Sequence, residues 1–305
     1  MEVDYGESSN DAVFANNVEK HAKQIVKIIK QEFQDNVIGN YGSSVFLIAV
    51  LRDKSGHIQA KMNKIKNNII ASNKCFNNIN VIYGYCVDDA TPSKLTECAI
   101  FTLKYAHIFN LNEVKYDKNV DAMKNDFERI ISNPSDINKE FKLIYQPIVK
   151  AENGIIFGAE AKIIWVDGSG SLLYKAKEFY PEFVKNGISF DLDLFVLNEA
   201  CSALEDLTAS VREEYAIFVN IAGVNLLLPE FIEEAKKVIS KHNINKNSLV
   251  ISILETVGTE DVNNLMALKA NAQSLGVKIE IRDFGNRGLT QSISNNIFDF
   301  YKLSS

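Results

Sequence analysis

An α/β fold is what this sequence predicts, with a small α+β unit followed by a longer run in which strands alternate with helices. Three observations carry that prediction. The 305 residues are about twice a common domain length, so two units are expected. Hydrophobic residues make up 46% and charged residues 24%, a balance that buries a core and argues against disorder. Apolar runs of strand length recur through the second half, with helical stretches between them.

In the first half, Val18, Ala22, Ile25, Ile28 and Ile29 fall at helical spacing, which predicts a helix over 17–33. Gly39 and Gly42 then punctuate the chain. The apolar run Val45 to Leu51 reads as a buried strand, one arm of a hairpin turning near Gly42 to Ser44. Residues 57–72 read as helical, Val81 to Val87 as a strand, and Ser93 to Phe109 as a helix entered through Thr91-Pro92. Residues 111–140 are polar, with a helix predicted from Val120 to Ile131 and an interruption at Asn133-Pro134-Ser135-Asp136. The domain boundary belongs in this stretch.

In the second half, strands are predicted at Phe141–Val149, Ile155–Val166, Tyr215–Ile221, Leu249–Leu254, Val277–Ile281 and Phe298–Leu303. Helices fall at 175–185, 191–207, 229–242 and 260–275. Such alternation implies parallel pairing through crossover helices. A polar residue stands in or at the end of nearly every strand: Gln146, Glu160, Asn220, Glu255, Asp283 and Lys302. Polar groups gathered at the C-terminal mouths of parallel strands are how a β/α barrel builds an active site. Position alone is equally consistent with each of them capping a strand.

Several function classes are disfavoured. Cys75, Cys86, Cys98 and Cys201 show neither CxxC spacing nor a paired framework, so buried reduced thiols in a cytoplasmic protein are expected. His21, His57, His107 and His242 are scattered, without metal-ligand spacing. There is no GxxxxGK[ST] loop, and Gly168-Ser169-Gly170 reads as a polar turn. A net charge of −6 argues against nucleic acid as a partner. No apolar run approaches the roughly 20 residues that cross a bilayer, so no membrane contact is expected within this chain.

Four stretches of the second half are familiar: Tyr145-Gln146-Pro147-Ile148-Val149, Gly158-Ala159-Glu160-Ala161-Lys162-Ile163-Ile164-Trp165, Phe218-Val219-Asn220-Ile221 and Ile279-Glu280-Ile281-Arg282-Asp283-Phe284-Gly285. In order and spacing they resemble the EAL domain, a β/α (TIM-type) barrel family that hydrolyses cyclic di-GMP with two divalent metals. Gly42-Ser43-Ser44-Val45-Phe46, with Ile82-Tyr83-Gly84-Tyr85 after it, resembles part of a GGDEF domain, the diguanylate cyclase module that commonly precedes EAL. The resemblance implies a partial GGDEF-like domain over 1–118, a helical linker over 119–140 and an EAL-like barrel over 141–305. Both domains are expected to be truncated, the barrel at its C-terminus. An upstream sensor or membrane segment in the parent protein is compatible with this.

The departures from the family pattern bear on function. Glu160 matches the Glu of the EAL motif, Asn220 the metal-binding Asn, and Lys302 the catalytic Lys. Glu255 matches the second Glu of the family's ExxE element, but Ser252 stands where the metal-binding first Glu belongs. Arg282-Asp283 replaces an Asp-Asp pair, leaving Asp283 as the remaining carboxylate. A cation about 4 Å from a dication at an effective dielectric near 20 meets roughly 8 kcal/mol of repulsion, an upper-end figure because Arg can swing outward. Ile164 replaces a phosphate-binding Arg. Lys162, on the same strand face as Glu160, either pairs with that acid or joins Arg282 as a phosphate clamp. In the first half, Ser44 and Val45 occupy the signature acid positions, and Phe33 and Asn36 fall where an RxxD site would lie.

The expectation is a catalytically inactive GGDEF–EAL protein acting as an interaction or regulatory module in cyclic di-GMP signalling. The alternatives are a nucleotide receptor using Gln146, Lys162 and Arg282, or a residual phosphodiesterase. The last would use Glu160 and Lys302 as catalytic residues and Glu160, Asn220 and Asp283 as metal ligands, with Glu255 shaping the adjoining loop. No cofactor is expected, or Mg²⁺ or Mn²⁺ if activity remains. A protein partner or a second copy would cover the open edge of an incomplete barrel.

Overall fold

The computed structural model describes residues 1–4, 12–34, 36–41, 44–50, 58–72, 79–87, 90–208, 215–254, 262–284 and 298–303. The chain divides into two compact units, Met1–Phe127 and Glu128–Ser305. Among the described residues no helix is long and apolar enough to cross a membrane.

In the first unit the order is β1 (Glu2–Asp4), α1 (Ala12–Glu32), β2 (Val37–Asn40), β3 (Phe46–Ala49), α2 (Ile58–Ser72), β4 (Asn80–Tyr85), α3 (Pro92–Ile108), β5 (Glu113–Lys115) and the start of α4 (Lys118–Ser132). The β2–β3 hairpin forms as the sequence predicts, antiparallel, with Asn40 opposite Phe46. β4 is the centre of a three-stranded sheet, antiparallel to β1 and parallel to β5. Neither β1 nor β5 is predicted from sequence, because three residues are too few to show a period. The core joins Ile25, Ile29 and Phe33 of α1 and its end to Met62, Ile65 and Ile69 of α2, with Phe46, Val81 and Tyr83. Thr91 caps α3, its side chain accepting from the Lys94 amide at 3.5 Å, and Pro92 fills the first turn. α3 crosses β4 so closely that a Cβ on Gly84 would lie 2.6 Å from the Leu103 amide nitrogen, which is why glycine interrupts that strand.

The second unit continues through a 3-10 turn at Pro134–Asp136 into α5 (Ile137–Glu140), β6 (Phe141–Val149), β7 (Ile156–Val166), β8 (Leu172–Lys175), α6 (Ala176–Lys185) and α7 (Ser189–Thr208). There follow β9 (Ala216–Asn220), α8 (Gly223–Leu226), α9 (Pro229–Ser240), β10 (Leu249–Leu254), α10 (Val262–Leu275), β11 (Lys278–Phe284) and β12 (Phe300–Leu303). The strands make one sheet in the order β12-β11-β10-β9-β7-β6, with β8 also against β7.

From β7 through β9, β10 and β11 to β12 every neighbour is parallel, as strand–helix alternation predicts. β6 corrects that prediction. It pairs antiparallel with β7 over its whole length, because the segment 150–155 is too short for a crossover and turns tightly instead. Lys150 N donates to Ile155 O at 2.8 Å, and Gly154 takes φ 71°. The expected TIM-type barrel is present only in part: β12 and β6 are the two ends of the sheet path, with no pairing between them among the described residues. The outward residues Val219, Ile251, Ile253, Ile279 and Ile281 are buried beneath the crossover helices. Near the β6–β7 hairpin, Trp165 stacks on Phe141 and meets Phe179 and Phe183. Its indole N–H donates to Glu140 Oε2 at 2.9 Å, and Arg129 grips the same carboxylate with two bonds of 2.6 and 2.8 Å.

Candidate functional site

Parallel pairing carries residues far apart in sequence to one end of the sheet. Glu160 on β7 is level with Phe218 of β9; Asn220 at the end of β9 is level with Ser252 of β10; Ser252 is level with Glu280 of β11; and Arg282 is level with Lys302 of β12. Gly158 lets β7 approach the start of β9, since a Cβ would collide with the Ala216 carbonyl oxygen. Along β11 the alternation Lys278, Glu280, Arg282 against the buried Ile279 and Ile281 turns the polar residues toward the interior of the curved sheet.

The side chains form a chain of four hydrogen-bonded residues and, beside it, a separate pair. Lys302 Nζ donates to Glu160 Oε2 at 2.8 Å, and Asn220 Nδ2 donates to Glu160 Oε1 at 3.3 Å. Arg282 Nη1 donates to Asn220 Oδ1. Ser252 Oγ donates to Glu280 Oε2 at 2.5 Å, both residues being buried. Burial pushes the Glu160 carboxyl up, but the hydrogen bonds from Lys302 and Asn220, with the charges of Lys302 and Arg282, outweigh it and hold the group below the ordinary carboxylate range. Burial wins at Glu280: its carboxyl is raised despite the Ser252 hydrogen bond and the charges of Lys302 and Arg282, with Glu160 adding repulsion.

The sequence places Glu160, Asn220 and Lys302 at the strand mouths and the family resemblance sets Arg282 beside them; the fold brings these four together. The anticipated Lys162–Glu160 pair does not form; Lys302, on a strand that does not neighbour β7 in the sheet, takes that carboxylate instead. Lys162 lies half-buried on the same face of β7 as Glu160, and Gln146 is exposed on β6 opposite Glu160. Arg282 donates to the amide oxygen of Asn220. Glu255 and the side chain of Asp283 lie outside the described residues.

Two features escape the sequence. Glu280 is one; the polar residues alternating through an otherwise apolar strand are the signal that could have revealed it. The other is a buried knot just beyond Asn220. Asp193, fully buried on α7, accepts from the Tyr180 hydroxyl at 2.6 Å, the Ala222 amide at 2.9 Å and Asn225 Nδ2 at 2.8 Å. Asn225 also donates to Ser189 at 3.2 Å. Burial lifts the Asp193 carboxyl to about 7, more than these neutral donors offset.

A two-metal centre needs several free oxygen ligands. Here both carboxylate oxygens of Glu160 receive N–H donors, and the Asn220 oxygen faces a guanidinium. Among the described residues, no group of three or more Asp, Glu, His or Cys side chains is placed to hold a metal ion. The described donor set does not fit a pair of dications.

The EAL domain family model matches residues 131–297, more than half of the chain. The chain belongs to the EAL domain family. Its setting is therefore cyclic di-GMP signalling. MucR of Pseudomonas aeruginosa, a bifunctional diguanylate cyclase/cyclic di-GMP phosphodiesterase, is 24% identical over 147 residues, covering 48% of this chain and 21% of MucR. Escherichia coli PdeI, named a probable cyclic di-GMP phosphodiesterase, is 28% identical over 193 residues, covering 60% of this chain and 24% of PdeI. This EAL-domain chain thus spans about a fifth to a quarter of those relatives. Among solved structures, the S helix-GGDEF-EAL chain of Vibrio cholerae LapD, bound to c-di-GMP, aligns with 93% of this chain and 69% of its own at a TM-score of 0.62 and 17% identity. The EAL enzyme Bd1971, in its cAMP and cyclic-di-GMP bound form, aligns with 71% of this chain and 58% of its own at a TM-score of 0.52 and 21% identity. At these identities the likeness is one of fold.

Proposed function

We propose that this EAL-domain chain acts in cyclic di-GMP signalling as a non-hydrolysing interaction or regulatory module. One observation carries the reading: the oxygens of Glu160 and Asn220 that a metal pair would need are bound by the protein's own cations, Lys302 and Arg282. A dication entering beside Arg282 would meet repulsion on the order of 8 kcal/mol at about 4 Å and an effective dielectric near 20. Displacing the guanidinium would cost its hydrogen bond as well. In this reading the first unit is a degenerate, partial GGDEF-like domain, supported by the length over which the chain follows the LapD fold. Its Ser44 and Val45 offer no carboxylate at the positions where the cyclase signature has acids.

The test is incubation of the full chain with cyclic di-GMP and Mg²⁺ or Mn²⁺, with chromatography of the linear product. No product above a protein-free control is expected. Metal-dependent product that disappears in Glu160→Ala would overturn the proposal and restore the phosphodiesterase reading. The receptor reading has its own support: Lys162 and Gln146 stand beside Glu160 with no hydrogen bond to a described residue, leaving polar groups for a ligand. Saturable calorimetric binding of cyclic di-GMP without turnover would favour it. A partner protein retained when Glu160 and Asp283 are both changed to Ala would favour the interaction module.

A further inference from the structure

The network at the strand mouth is a charge balance as well as a set of hydrogen bonds. Two acids, Glu160 and Glu280, share one space with two bases, Arg282 and Lys302, drawn from three different strands. Ionised, the four cancel. Their hydrogen bonding does not. Arg282 spends Nη1 on the Asn220 amide, a neutral acceptor, and its Nε is buried without a partner among the described residues. Lys302 bonds Glu160 while its side chain stays 41% exposed, so the mouth is open to solvent on the β12 side. A guanidinium with an unused N–H beside a solvent-reachable ammonium is the donor arrangement that takes an anion.

Glu280 is what opposes an incoming anion. It is 8% exposed, and its carboxylate is held by the Ser252 hydroxyl rather than by an ion pair. It is close enough for Arg282, Lys302 and Glu160 all to act on it electrostatically. Such a carboxylate supplies the negative charge that a phosphodiester would otherwise bring, and it excludes a second anion by like-charge repulsion.

We infer that Glu280 is a built-in counter-anion that masks a phosphodiester-binding site formed by Arg282 and Lys302, with Lys162 at its margin. This rests on the proposed reading that no metal pair operates in the mouth, and it deepens that reading by naming what holds the ligand off. Removing the charge of Glu280 converts a balanced mouth into one with a net positive charge. Glu280→Gln keeps the shape and an oxygen that can accept from Ser252.

The test is calorimetric titration of cyclic di-GMP, and separately of inorganic pyrophosphate, into the full chain and into Glu280→Gln. All titrations are run in EDTA at low salt, so that neither metal binding nor hydrolysis contributes. Glu280→Gln is expected to bind both anions at least about 10-fold more tightly than the parent chain, an effect weakening with added salt. The gain should vanish in Glu280→Gln/Arg282→Gln. Unchanged or weaker binding in a folded Glu280→Gln, or a gain that survives loss of Arg282, would overturn the inference. Glu280→Ala is the second variant. Failure of both to fold would overturn it equally, since a carboxylate required for folding is a structural counter-ion rather than a mask. Metal-dependent hydrolysis by the parent chain would defeat the proposed function while leaving this binding comparison readable in EDTA.

Discussion

Two carboxylates of the second unit, Glu160 and Asp193, are both withdrawn from water, yet their environments push them in opposite directions. Glu160 is touched by Lys302 and Asn220 and lies within the field of Arg282, and it is held below the ordinary carboxylate range. Asp193 accepts three hydrogen bonds, from Tyr180, Ala222 and Asn225, and is nevertheless raised to about 7. Hydrogen-bond number does not account for the difference, because Asp193 has more. Burial and donor charge together do: Asp193 is the more deeply buried and every donor to it is neutral, whereas Glu160 has a cation in contact. A mouth that keeps its acid ionised by its own lysine and arginine needs no metal to do so.

The largest effect that would break this comparison is deletion of the Asp193 carboxylate. Asp193→Ala leaves the Tyr180 hydroxyl, the Ala222 amide and the Asn225 amide buried without their acceptor. A loss of about 3–5 kcal/mol is expected in denaturant unfolding. A loss under about 1 kcal/mol would mean that the knot contributes little.

The second effect is the dependence of stability on pH. Asp193 has a folded value of about 7 against an ordinary 3.8, so the native state holds this proton where the unfolded chain has released it. Its contribution is full below about 4, declines as pH rises toward 7, and is flat above that. The span is about 4 kcal/mol as an upper bound. Asp193→Asn should flatten this limb of the stability profile. Glu160 works in the other direction: its depressed value stabilises the native state above the ordinary glutamate range, and that contribution is lost as pH falls through the folded value.

Lys302→Met sharpens the same contrast from the Glu160 side. It removes the cationic donor and leaves Asn220 as the contacting one, so the Glu160 midpoint, followed by carboxyl NMR, should move up. The stability loss should be about 1–2 kcal/mol, modest because Lys302 is partly exposed. An unmoved midpoint would show that Arg282 and Asn220 suffice. The smallest effect belongs to Lys237, whose pair with Glu234 lies in the open. Lys237→Ala should leave the denaturant midpoint unchanged within error.

Much of the fold is legible from local pattern. β6 and β10 occupy the residues the apolar runs mark out, and α2, α3 and α6 begin and end within a residue or two of their expected limits. The failures share a cause. β1, β5, β8 and α8 have three or four residues each, too few to carry a period, and exist because neighbours complete them. The antiparallel entry of β6 is visible in retrospect in the short turn at 150–155, but strand–helix alternation elsewhere masks it.

The sequence by itself determined which strands carry polar residues at their mouths, and that Ser252 and Arg282 stand where the EAL family has acids. It could not decide who binds whom. The bonds of the mouth join residues 60, 62 and 142 positions apart, and the Glu160 carboxylate is taken by Lys302 of a distant strand rather than by Lys162 of its own. Likewise, nothing local distinguishes Asp193 from an exposed acid, and the alternation along β11 marks Glu280 only as inward-facing, because burial is set by the helices and strands packed around them. Hydrogen bonds act over about 3 Å and desolvation depends on every surrounding atom, so both are properties of the folded chain rather than of its residue order.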